Sequence, residues 1–210
     1  MNKKFVAALL SVAVVSGAFS TSAFAAREAG DWIARVGMTN LDPKQKAGEI
    51  YGTGTALDGA GITVDEDTAV SITGAYMFTP NLGLELQVST PFEHDISVAG
   101  EQFGSTQLLP PTLNVQWHFN PAGQFHPYVG AGINYTLFFS QKFPIAGLEL
   151  DDTVGYDLQV GVDFELSDNL LLNFDVRYFD LAPDLKRNGT KIATVALDPV
   201  TVGINLGWKF

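Results

Sequence analysis

Thr201–Phe210 reads TVGINLGWKF, and its pattern decides the fold. Val202, Ile204, Leu206, Trp208 and Phe210 fall on every second position, with Gly203, Asn205, Gly207 and Lys209 between them. A period of two marks a strand with one apolar and one polar face. The sequence closes on this strand with an aromatic residue, where a frayed polar tail is usual. A final residue inside a strand is expected where that strand must pair with another to close a sheet on itself.

The alternation recurs in seven further segments: DWIARVGMT from Asp31, AVSITGAYMF from Ala69, LGLELQVSTPF from Leu82, PTLNVQWHF from Pro111, PYVGAGINYTLF from Pro127, VGYDLQVGVDFEL from Val154 and LLLNFDVRYF from Leu170. Eight strands of about ten residues have the length that a tilted strand needs to cross a bilayer, and an even count closes an antiparallel barrel. The connections alternate as well. TPN, NPAGQFH and SDN are short turns rich in Asn, Pro, Gly and Asp, and the other connections are long and polar. The sequence therefore predicts an all-β fold: an eight-stranded antiparallel transmembrane β-barrel with short periplasmic turns and long extracellular loops.

Alternation alone does not distinguish a membrane barrel from a soluble one; the contents of the two faces do. Arg35, Glu85, Asp157, Asp163, Glu165, Asp175, Arg177 and Lys209 all lie on the non-apolar parity, together with many of the 21 glycines. A surface facing water favours Lys and Glu over so much Gly. A narrow lumen needs small residues and mutually neutralising charges. Aromatics of the apolar parity, among them Trp32, Phe78, Trp117, Phe164, Tyr178 and Trp208, gather near strand ends, as an interfacial girdle does.

The N-terminus agrees. Lys3 and Lys4 precede an apolar run from Phe5 to Val15, and Ala23-Phe24-Ala25 forms a small-residue cleavage site. Residues 1–25 are expected to be a secretory signal peptide and 26–210 a single barrel domain, placed in the outer membrane of a Gram-negative bacterium. Without Lys3 and Lys4, 10 basic residues face 23 acidic ones, a net charge of −13. That balance argues against nucleic acid, whose phosphates require a basic face. There is no cysteine, so no disulfide staples the exported chain.

Five stretches resemble the OmpW family of small outer-membrane barrels: REAGDWIARVG (Arg27–Gly37), STPFEHDI (Ser89–Ile96), LLPPTLNVQWHF (Leu108–Phe119), HPYVGAGINYTLFF (His126–Phe139) and VGVDFEL (Val160–Leu166). The resemblance implies a passive route for small, often hydrophobic molecules, which enter from outside and leave sideways through a gap in the wall. It places Pro110 and Pro111, the LPPT motif, beside that gap. Proline donates no backbone N–H and belongs at sheet interruptions, so a physical reason for a gap exists independently. The alternating strand that ends on Trp208 and Phe210 also resembles the C-terminal signal read by the outer-membrane assembly machinery.

One departure from the family stands out. Its channel is apolar, whereas Arg35, Glu85, Gln87, Asn114, Asn134, Asp157, Asp175 and Arg177 form a polar lumen lining here. An apolar chamber is then expected higher, at Phe103, Leu108, Phe138, Phe139 and Phe143. The inward charges fit two roles, a selective path or a neutralised plug. Two functions follow: a route for small hydrophobic solutes, or a closed structural barrel whose loops meet partners at the surface. Lipid and lipopolysaccharide are the expected surroundings. Catalysis is not expected, since His94, His118 and His126 show no nucleophile–base arrangement; nor do they have metal-ligand spacing, and the acidic stretches Asp65–Asp67 and Leu150–Asp152 read as solvated loop charge before weak sites for divalent cations, so no cofactor or metal is implied.

Overall fold

The computed structural model describes residues 26–43, 62–98 and 100–210. The expected signal peptide, residues 1–25, lies outside them. The strands are β1 (Trp32–Pro43), β2 (Ile62–Val64), β3 (Asp67–Met77), β4 (Leu82–Ser89), β5 (Phe92–Val98), β6 (Glu101–Leu109), β7 (Thr112–His118), β8 (Phe125–Lys142), β9 (Leu148–Leu150), β10 (Thr153–Glu165), β11 (Leu170–Asp180), β12 (Asp184–Arg187), β13 (Thr190–Thr194) and β14 (Pro199–Lys209).

Eight of these form a closed antiparallel wall, in the order β1, β3, β4, β7, β8, β10, β11, β14 and back to β1. The closing seam runs from Ile33 opposite Lys209 to Pro43 opposite Pro199. One step further, Trp32 and Phe210 exchange both backbone hydrogen bonds, at 3.2 and 2.8 Å. The alternating stretch Thr201–Phe210 thus leaves neither neighbouring strand with an open edge.

The predicted faces are the observed ones. Leu158 and Val160 are 62% and 58% exposed, whereas Asp157, Gln159 and Asp163 are buried. The same contrast separates Val202, Ile204 and Leu206 from Thr201 and Asn205. A continuous apolar band of this extent has no place on a water-soluble monomer. Facing lipid, it needs no cover, and the polar residues turn inward.

Hydroxyl groups shape two of the short turns. Between β3 and β4, Thr79 Oγ1 accepts from the N–H groups of Asn81 and Leu82 at 3.2 and 2.9 Å. Between β10 and β11, Ser167 Oγ accepts from the N–H of Leu170 at 3.2 Å. On the opposite side, segments expected to be polar loops carry further strands. β5 pairs with β2 and β6, and β12 pairs with β9 and β13, building walls above the membrane-spanning band. The segment from Leu82 to Phe92, expected as one strand, breaks at Thr90-Pro91 into β4 and β5. Proline cannot donate there, and the chain changes partners.

The orientation of the faces is testable. Val160→Arg should cost about 2–4 kcal/mol in urea unfolding from phospholipid vesicles, the penalty for a cation at mid-bilayer. Asp168→Arg, in the exposed β10–β11 turn, should cost far less. Equal, small effects at both positions would reverse the assignment.

Candidate functional site

The lower lumen is a floor of paired charges. Arg35 projects inward from β1 because its neighbours Ala34 and Val36 face out. Its Nη1 donates to Glu85 Oε2 at 2.9 Å, and its Nε and Nη2 grip both oxygens of Asp163 at 3.1 and 2.7 Å. Glu85 Oε1 accepts from Arg177 Nη2 at 2.8 Å, and Arg177 Nε donates to Asp175 at 3.0 Å. Arg27, from the segment before β1, donates to Asp163 and to His118 Nδ1. Asn173 donates to Tyr128 Oη at 2.9 Å and to Asp163 at 2.8 Å. Gln116 donates to Gln159 at 2.9 Å, and Asn114 to Asp157 at 2.8 Å.

β4 and β11 stand four places apart in a ring of eight, on opposite walls. A direct Glu85–Arg177 contact therefore crosses the full diameter, and no aqueous path passes through that bond. Glycine makes room for this crowding. A Cβ at Gly207, opposite Arg35, would stand 2.9 Å from Arg35 Cγ, and one at Gly161 would stand 2.4 Å from the Tyr128 ring. Of the two roles the sequence left open for the inward charges, these pairings favour the neutralised plug.

Above the floor the chemistry inverts. Phe92, Ile96, Leu108, Phe138, Leu150, Leu185, Ala193 and Val195 form one apolar cluster. They come from β5, β6, β8, β9, β12 and β13 and the chain after it. A cavity of about 590 Å³, including its open mouth, sits among them. Phe103, Leu108, Phe138 and Phe143 line it. Phe139, expected with them, is not among the lining residues. On β8 the inward positions are the even ones, Asn134, Thr136 and Phe138, and Phe139 sits on the other parity, paired with Gln107. A second hollow shares Val64, His94, Leu108 and Leu197 with the first and extends to Leu41, Pro110 and Phe179.

The wall is interrupted beside this hollow. The β4–β7 ladder stops at Gln87 opposite Thr112, and the β5–β6 ladder starts at Phe92 opposite Leu108. Between them Val88–Pro91 face Leu109–Pro111 without register pairs. Val88 and Ser89 stay on β3, opposite Ile72 and Ser71, and the Thr90 N–H donates to the Val70 carbonyl at 2.8 Å. Across the break, the Pro111 carbonyl accepts from the Tyr135 N–H at 3.0 Å and from the Asn134 side chain at 3.1 Å, holding β7 to β8. Each side is tied away from the seam, and Pro91, Pro110 and Pro111 have no N–H with which to bridge it.

Arg35, Glu85, Asn114, Asp157, Asp175 and Arg177 are thus gathered in or at the floor, with Gln87 and Asn134 buried between floor and chamber. Pro110 lines the lower hollow, while Pro111 braces β8. The sequence reading missed Arg27, which precedes any periodic pattern, and Tyr128, Gln116 and Gln159, which alternation places inward but does not single out. It also missed Val64, Leu148, Leu150, Leu185 and Val195, whose segments are too short for a periodic signal. Among the described residues no group of three or more His, Asp or Glu side chains is arranged to hold a metal ion.

Residues 28–210 match the OmpW family. The chain is 38% identical over 222 residues to outer membrane protein W of Escherichia coli (strain K12), covering 100% of both chains. The crystal structure of the outer membrane protein OprG from Pseudomonas aeruginosa superposes with a TM-score of 0.75 at 30% identity, covering 88% of this chain and 98% of that one. The solid-state NMR structure of outer membrane protein AlkL in DMPC lipid bilayers shares the fold, with a TM-score of 0.71 at 22% identity over 92% of this chain and 96% of that one.

Glu85 is the junction of the floor. Glu85→Ala takes one carboxylate partner from each of two buried guanidinium groups, leaving Asp163 to Arg35 and Asp175 to Arg177, and should lower unfolding stability by about 3–5 kcal/mol. Glu85→Gln, which keeps the volume and one accepting oxygen of the two, should lose less. Urea titration of the folded barrel in lipid measures both, and no loss in the alanine variant would dissolve the plug.

Proposed function

The chain belongs to the OmpW family of outer-membrane barrels, and on that premise we propose that it is a passive, non-enzymatic route for small hydrophobic molecules. They enter the apolar chamber from outside, pass down the hollow beside Pro110, and leave sideways into the membrane between β4–β5 and β6–β7. One observation carries this reading: an apolar cavity leads to an interrupted wall, directly above a floor crossed by the Glu85–Arg177 bridge. With the axis filled, the side is the way into the membrane that the described residues leave open to a solute in the chamber. An unpaired backbone facing hydrocarbon is costly, so a break of this kind belongs where it opens on protein, water or a passing solute.

The crossed floor also favours a second reading, a closed barrel whose outer walls meet partners at the surface. In both readings lipid and lipopolysaccharide surround the wall, and Trp208 and Phe210 serve as the signal taken up by the assembly machinery.

Replacing Pro110 and Pro111 together with Ala restores two N–H donors and lets the two ladders join. Uptake of an apolar fluorescent solute by cells should slow at equal surface level, with barrel stability kept. Unchanged uptake would remove the lateral route and leave the surface-partner reading.

A further inference from the structure

The chamber wall splits a second time, along the upper edge of β8. Below, β8 and β10 are laddered from Phe125 opposite Phe164 to Thr136 opposite Thr153. Above Thr136 the two chains part. The end of β8 pairs with β6, and β9, which leads into β10, pairs with β12. No register pair joins the two arms among the described residues. They meet again at the top, where residues 143–147 run from β8 to β9. This crossing is anchored at both ends. A Cβ at Gly104 would stand 2.7 Å from the Phe143 ring, so β6 leaves a notch that the ring fills, and the Asn188 N–H donates to the Gly147 carbonyl at 2.7 Å. The result is a window in the wall, with the Thr136–Thr153 pair as its sill.

Behind the window lies the cavity. Phe138 on one arm, Phe143 above, and Leu148 and Leu150 on the other arm all line it. Side chains hold the arms together in place of a ladder. Gln141 Nε2 donates to the Leu150 carbonyl at 2.8 Å, and its Oε1 accepts from the Leu150 N–H at 2.6 Å. One amide thus satisfies both backbone groups of Leu150, as a neighbouring strand would. Nearer the sill, Asp152 Oδ1 accepts from the Phe138 N–H at 2.9 Å. Ser140, at φ +50°, bends β8 beside the window, where its register with β6 also shifts. An interrupted ladder is costly in hydrocarbon and costs little where water reaches it. Tyr135 and Tyr156, outward and exposed just below the sill, mark the level at which one gives way to the other. The window therefore stands above the hydrocarbon. Its fastening is two hydrogen bonds from one half-buried side chain, which water can replace at small net loss, so it opens more readily than the ladders around it.

We propose that the split between β8 and β9 is a side entrance to the chamber and that the Gln141 amide is its latch. When the amide releases Leu150, an apolar solute at the headgroup level passes over the sill, between Phe138 and Leu150, into a space lined by carbon. When the amide rebinds, the wall behind the solute is whole. This proposal rests on the chamber being a ligand site, and its test separates the two.

The chain has no cysteine, so Gln141→Cys places a single thiol at the latch. Gln141 lies above the eight-stranded ring, which should fold without it. Naphthalene is titrated into the full barrel in lipid nanodiscs, its free concentration corrected for partition into protein-free discs. Ile96 lines the cavity, and the line shape of its methyl resonance gives the on and off rates. In Gln141→Cys both rates should rise roughly tenfold, the worth of the lost hydrogen bonds, with the dissociation constant unchanged. Coupling a bulky maleimide to the thiol should then bring both rates below those of the unaltered chain. A Gln141 that served only to hold the fold would not reverse the effect between release and plugging. Failure of either step overturns the side entrance while the chamber stands. An Ile96 resonance that naphthalene does not move overturns both.

Discussion

Hydrocarbon offers no partner to a peptide N–H or C=O, and the rest of this structure depends on that constraint. Every backbone group in the bilayer must be satisfied by another strand, so the sheet has to close. Closure occurs along β1 and β14, to the level of the Trp32–Phe210 pair. Once the ring is shut, side-chain parity has only two destinations, lipid and lumen. The apolar set goes out because no water is there, and the charged set goes in because no lipid is there.

A ring of eight strands leaves little interior. Arginines and carboxylates placed inside it meet across the lumen, and Glu85 reaches Arg177 on the opposite wall. Such pairs gain little over a well-packed apolar core, yet removing one partner is severe. The floor is consequently crossed by paired side chains, and the apolar cavity lies above it. That space is built by strands that outrun the bilayer, β5, β6 and the upper part of β8, together with β9 and the β12–β13 hairpin. The prolines mark the boundary between the two regimes, at the point where β4 follows β3 and β7 follows β8.

The membrane-spanning part was legible in the sequence because its physics is periodic. Lipid enforces strict alternation over about ten residues, and Val202 to Phe210 shows it without a fault. The polar set of the lumen followed from the same parity, Arg35, Glu85 and Arg177 included. Parity does not say which inward residues touch, so the direct contact between Glu85 and Arg177 had to come from three dimensions. Arg27 was hidden because it belongs to no strand of the wall. The chamber was half legible: Phe103, Leu108, Phe138 and Phe143 lie in its lining, but Phe139 was included on hydrophobicity alone, against its parity. Leu148, Leu150 and Leu185 sit in strands of three or four residues, too short to stand out against polar neighbours.

β8 runs unbroken for 18 residues, nearly twice what a bilayer crossing requires. At about 3.3 Å per residue, its surplus carries the top of the chamber wall on the order of 20 Å beyond the hydrocarbon. The barrel therefore carries a pocket of oil-like polarity up into a zone of sugar and water, where nothing else of low dielectric exists. On the proposed route a molecule resting there would shed its hydration before it met the first acyl chain, so the desolvation step and the step into lipid would be separated in height along one strand.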